Sequence, residues 1–131
     1  MTHVLSKYRP IADAVSLLFQ PCIEVVIHDI ERDDVFYVAN SFSGRQPGDA
    51  SLLKLTADDL ESEGSVIGPY EKAGEKGQRL RSVTAVLKDD AGSIAGLMCI
   101  NLDFSVYEPA LELLENLIRP SGSEKHPEIL F

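Results

Sequence analysis

The chain has 131 residues with a hydrophobic fraction of 44%, which suits one domain able to close a core without staples or metals. Its 12 basic and 21 acidic residues give a formal charge of -9, so these residues are repelled by phosphate backbones and direct nucleic-acid contact is not expected. No apolar run approaches the roughly 20 residues that cross a bilayer, and Met1 to Leu18 lacks an export signal, so the expectation is a cytoplasmic protein without membrane contact.

From Val4 to Phe19 the residues Val4, Tyr8, Ile11, Ala12, Val15, Leu18 and Phe19 recur at helical spacing. Pro10 fits only the first turn, so the continuous helix starts near Arg9 and stops before Pro21. Ile23 to Asp29 and Val35 to Asn40 are β-rich runs joined by the charged link Glu31 to Asp34, which predicts a hairpin. Ser41 to Asp49 is a loop by composition. Asp49 or Ser51 can cap a following helical stretch whose Leu52, Leu53, Leu55 and Leu60 face inward and which Gly64 ends. The acidic run from Asp58 to Glu63 reads as its solvated face. Val66 to Lys72, broken by Gly68-Pro69, is a short edge strand.

Gly77 to Asp103 then reads as two long strands turning at Asp89-Asp90-Ala91-Gly92, where glycine supplies the positive φ of a tight connection. Alternation puts Val83, Ala85, Leu87, Ile94, Met98, Ile100 and Leu102 on one face. The other face receives Leu80, Ser82, Thr84, Val86, Leu97, Cys99, Asn101 and Asp103, a mixture that resembles the wall of a small-molecule pocket. Ser105 to Glu108 has the pattern of a capping box, and Leu111, Leu113, Leu114, Leu117 and Ile118 continue a helix to Pro120. Ser121 to Phe131 has no pattern and reads as a tail or the start of a linker.

These elements predict an α+β domain with a five-stranded antiparallel sheet, helices on one face, and flanking N- and C-terminal helices. The divisions are 1–20 for the first helix, 21–104 for the core, 105–119 for the last helix and 120–131 for the tail. The helical middle should cover the pocket face, a terminal helix the oily one, and a second copy could complete the cover.

Several strings, in this order and spacing, resemble the YheO-like PAS domain family. They are Glu-Val-Val-Ile-His-Asp at 24–29, Asn40 with Ser43-Gly44-Arg45 and Gly48-Asp49, Leu80-Arg81-Ser82 with Thr84, the Asp90-Ala91-Gly92 turn, and Cys99-Ile100-Asn101 with Asp103. The resemblance covers roughly Tyr8 to Asp103 and implies a PAS fold. It also implies the N-terminal sensor half of a bacterial transcription regulator of the D-arginine-utilisation-repressor type, linked to a helix-turn-helix DNA-binding segment. No second helical pair or basic stretch for that segment occurs in these residues.

Candidate ligand contacts follow from chemistry. Ser82, Thr84, Cys99 and Asn101 can converge from adjacent strands, and buried polar groups need partners, which a small polar metabolite or one another can supply. His28 and Asp29 are strand neighbours that point oppositely unless a bulge intervenes, which argues against a catalytic dyad; one of them reaches a loop or Arg45, and His28 is a candidate pocket residue. Arg45 and Arg81 suit carboxylate capture, while Glu24, Asp29, Asp49 and Asp103 are acceptors for an amine, so an amino-acid-like ligand could use both sets. An internal Arg-carboxylate bridge pinning the Ser41 to Asp49 loop is the structural alternative. Cys22 and Cys99 read as small core residues, and Cys99 could act as a nucleophile only if exposed beside a base. No phosphate loop, metal spacing or nucleophile elbow is present, so no cofactor, metal or enzymatic activity is expected. A dimerisation module without ligand is the competing expectation, and a homodimer fits both.

Overall fold

Two antiparallel hairpins pair with each other through their inner strands in the computed structural model, which describes residues 3–53, 60 and 64–120. The strands are β1 (Ile23–Asp29), β2 (Asp34–Ala39), β3 (Val66–Ala73), β4 (Arg79–Lys88) and β5 (Ile94–Asp103). They form one five-stranded sheet in the order β2-β1-β5-β4-β3, every neighbouring pair antiparallel. The first and last strands in sequence are thus central, and β1 is buried along its whole length.

A 3-10 turn at Val4–Tyr8 leads into α1 (Arg9–Leu18), with proline in the first helical turn where its missing N–H costs nothing. Leu5 and Ala12 are fully buried against Ile23, Val25, Ile27 and Met98, with Tyr8 and Val15 packed beside them. Gly96 permits this approach: a Cβ there would meet the His28 carbonyl at 2.4 Å and the Leu5 side chain at 3.0 Å. The buried stripe of α1 differs from the expected one, because Ile11, Leu18 and Phe19 are exposed while Ser16 is buried. Ser16 can be buried because its hydroxyl donates to the Asp13 carbonyl one turn back.

The opposite face carries a second core of Val26, Val35, Leu60, Leu97 and Cys99. Ile94 packs with this cluster instead of the face that simple alternation assigned to it. Pairing jumps from Leu87↔Gly96 to Lys88↔Ile94, so Ala95 is an extra residue and the side chains before it change face. Leu52 also departs from expectation, being 78% exposed with φ 57°. Leu55 and the acidic run from Asp58 lie largely outside the described residues, as does the 121–131 tail, whereas Leu60 is helical and buried.

The last helix, α2 (Glu108–Ile118), follows a 3-10 turn at Ser105–Tyr107 and buries no residue. The capping box is absent: the Ser105 N–H and hydroxyl both donate to Asp103 Oδ1, so the serine secures the strand exit instead of the helix start. Of the two cysteines only Cys99 is buried; Cys22 is half-buried at the foot of β1. No helix among the described residues is long and apolar enough to cross a membrane.

Candidate functional site

Direct cross-strand partners share a face, so register alone assembles the polar wall. Glu24 pairs with Asn101, Asn101 with Ser82, and Thr84 with Cys99, while β3 adds Tyr70 opposite Ser82 and Lys72 opposite Leu80. Glu24, His28, Ser82, Thr84 and Asn101 are all buried.

Most of these groups are paired within the protein. Ser82 Oγ donates to Asn101 Oδ1 at 2.8 Å, which fixes the amide and leaves its NH2 group without a protein partner among the described residues. Tyr70 and Thr84 hydroxyls bond at 2.8 Å, and Thr84 Oγ1 donates to Cys99 Sγ at 3.5 Å. Burial pushes the Cys99 thiol pKa up, the reverse of what a nucleophile needs. His28 Nδ1 and Ser51 Oγ share a buried 2.8 Å bond. Burial first, then the positive charges of Arg45 and Lys72, lower the His28 pKa from 6.5 to about 4, so the imidazole is neutral at physiological pH.

Glu24 anchors the loop after β2. Its Oε2 accepts from the Ser43 N–H at 2.9 Å and the Ser43 hydroxyl at 2.7 Å, and Ser43 Oγ in turn accepts from the Arg45 N–H at 3.2 Å. The loop is therefore pinned by a carboxylate bound to serine, and no Arg45-carboxylate bridge occurs among the described residues. The pinned loop holds Arg45 across from Lys72 of β3.

Between them is a cavity of about 160 Å³ lined by Glu24, Ser43, Arg45, Lys72, Leu80 and Asn101, with Ala73 to Glu75 of the β3–β4 turn at its rim. An engineered cavity of about 150 Å³ accommodates a benzene ring, so this space suits a molecule of that size. Lys72 has its pKa lowered chiefly by burial, with Arg45 adding to the effect and Cys99 and Glu24 opposing it. A second cavity of about 230 Å³ lies at the other end of β4 and β5, lined by Leu60, Gly64, Ser65, Val86, Lys88, Gly92 and Ile94. Among the described residues it has no comparable convergence of polar side chains.

The sequence candidates divide accordingly. Asn101 and Arg45 line the polar cavity, and Ser82 orients Asn101. Thr84 and Cys99 lie on the same face but form a chain with Tyr70, and His28 turns to Ser51. Asp103 is committed to Ser105, Asp49 accepts from the Gln46 N–H, and Asp29 binds His3 and the Arg32 N–H on the α1 side. Arg81 does not join the site: paired with Leu102, it is exposed on the opposite face. Lys72 was missed. Its strand is interrupted at Gly68-Pro69, and the pairing shift between Ile67 and Tyr70 makes its face unreadable from alternation. Ser51, which the sequence suggests as a helix cap, has its hydroxyl against His28.

Similarity to known proteins runs along the whole domain. The chain is 43% identical over 129 residues to the transcriptional regulator DauR of Pseudomonas aeruginosa, covering 97% of this chain and 60% of that protein. It is 23% identical over 134 residues to YheO of Escherichia coli strain K12, covering 98% and 55% respectively, and 29% identical over 108 residues to a Haemophilus influenzae protein, covering 79% and 48%. The chain thus spans about half to three fifths of the length of these relatives. Residues 1–119 match the YheO-like PAS domain, and the chain belongs to that family.

Proposed function

We propose that this domain is the sensory part of a transcription regulator: it binds a small polar metabolite in the cavity between the Ser43 to Arg45 loop and β3, and occupancy is passed to a DNA-binding helix-turn-helix segment through the terminal helices. The observation that carries the proposal is the convergence of Glu24, Arg45, Lys72 and the Asn101 amide on one cavity of about 160 Å³, in a sheet face whose other buried polar groups are paired. Regulation is supported by the likeness to DauR, itself a transcriptional regulator, of which this chain spans 60%. DNA contact is assigned to the remainder of such a protein, since this domain carries a charge of -9. Nothing in the chemistry of the site calls for a catalytic role, because its thiol is raised in pKa and its imidazole is paired to a serine.

A ligand that binds only the folded domain stabilises it in proportion to the logarithm of its concentration over its dissociation constant. A thermal-shift screen of small polar metabolites at millimolar concentration should therefore yield at least one that raises the melting temperature, with the effect lost in Asn101→Leu. A library without any stabilising member would end the sensing proposal.

A second reading, self-association, rests on the terminal helices. Leu113, Leu117 and Ile118 of α2 are 62%, 73% and 77% exposed, and Leu17 and Leu18 of α1 are 66% and 74% exposed. An isolated helix of the 11 residues of α2 is marginal in water, so it needs a surface to pack on. A homodimer in which these faces meet supplies that surface and couples the two helices.

A further inference from the structure

We infer that the ligand of this cavity is a small carboxylate, held between the Lys72 ammonium and the Arg45 guanidinium, with the Asn101 NH2 group donating from the cavity floor. This rests on the sensing proposal and names the chemistry of its ligand.

Charge on the cavity wall carries the argument. Among the described residues the other lysines and arginines are all exposed, three of them paired, Lys7 with Asp90, Arg32 with Asp34 and Arg79 with Glu71 and Glu108, and the rest open to water. Arg45 and Lys72 are half-buried at one cavity and, among the described residues, neither comes within ion-pair distance of a carboxylate. In a protein with 21 acidic and 12 basic residues, two half-buried cations facing one half-open cavity is an arrangement that favours an anion. Their buried carboxylate neighbour among the described residues, Glu24, is already bonded through Oε2 to both donors of Ser43. The two cations also repel each other, as the downward influence of Arg45 on Lys72 shows, and an anion between them relieves that repulsion.

Hydrogen-bond roles point the same way. Ser82 donates to Asn101 Oδ1, which leaves the NH2 as the end of the amide without a partner among the described residues, and Lys72 and Arg45 offer only donors. A planar carboxylate, with two oxygens and about four lone-pair positions, matches a guanidinium, an ammonium and an amide NH2 together. The volume of about 160 Å³ limits the ligand to a short carbon skeleton. Glu24, beside Asn101 on the cavity wall, can accept an ammonium on the same ligand without requiring one.

The test is a thermal-shift and calorimetric titration of the full chain with short monocarboxylates, hydroxy acids and amino acids, each compared with its own primary amide. At least one acid should stabilise the chain while its amide does not, and Lys72→Met and Arg45→Gln should each weaken that acid at least about tenfold, the loss expected for a charge-assisted hydrogen bond. Amides that bind as well as their acids would overturn the carboxylate assignment and leave the sensing proposal standing. An absence of stabilisation by every acid and amide, together with a negative metabolite screen, would overturn both. Should either variant fail to fold, the acid-against-amide contrast in the unsubstituted chain decides the assignment.

Discussion

The two faces of the sheet are built from alternate residues of the same strands, yet they are closed by different means. On one, Val25, Ile27 and Met98 meet Leu5 and Ala12 of the N-terminal segment in an apolar contact. On the other, Glu24, His28, Ser82, Thr84 and Asn101 are buried one residue away in sequence from that core, each with its own hydrogen-bond partner. Apolar burial is non-directional and needs only a complementary surface, whereas every buried polar group must be matched individually. A ligand therefore belongs at the few groups on the polar face whose capacity the described residues leave open, namely Lys72, Arg45 and the Asn101 amide.

Breaking the apolar face should have the largest effect. Leu5 is fully buried, so Leu5→Ala should destabilise the domain by about 2 to 5 kcal/mol in urea unfolding, depending on how far the site collapses. A loss below about 1 kcal/mol would mean that the N-terminal segment does not close this face in solution.

The polar face should show itself in acid. The unfolded His28 titrates near 6.5 and the folded one near about 4, so between these values the unfolded chain binds more protons. Stability is therefore intact above pH 6.5 and falls as the pH drops towards 4, by about 3 kcal/mol in total from this residue. Urea titrations across that range should be markedly flatter for His28→Gln; equal slopes would place the pH dependence elsewhere.

The smallest effect on the fold sharpens a related contrast, between the two terminal helices. α1 is packed on the sheet through Ala12, but Leu114 of α2 is 56% exposed. Leu114→Glu should change monomer stability by no more than about 0.5 kcal/mol, because no buried contact is lost. It should, however, dissociate a homodimer in sedimentation analysis. An unsubstituted chain that sediments as a monomer at high concentration would remove the self-association reading.

How much was legible depended on whether the signal was local. Proline at position 10 and again at 21 bracketed α1, and the alternation of β4 and β5 placed Ser82, Thr84, Cys99 and Asn101 on a common face, as the register confirms. Alternation failed at Ile94 and at Lys72, in each case beside a pairing shift that exchanges the two faces. Charged residues were the least legible. Arg81 and Arg45 look alike in sequence, but one is exposed on the far face and the other is held at the cavity by a serine loop tied to Glu24.

Periodicity and the punctuation of proline and glycine thus determined an α+β chain of two hairpins with a polar face on its long strands. Those signals arise between residues close in the chain, where backbone geometry fixes the side-chain direction. The tertiary structure alone decided which polar groups satisfy one another, that the N-terminal helix closes the apolar face while α2 stands clear, and that Lys72 meets Arg45 and Glu24 at one cavity. Such meetings join segments far apart in sequence, and they depend on strand register and loop anchoring, which no local pattern records.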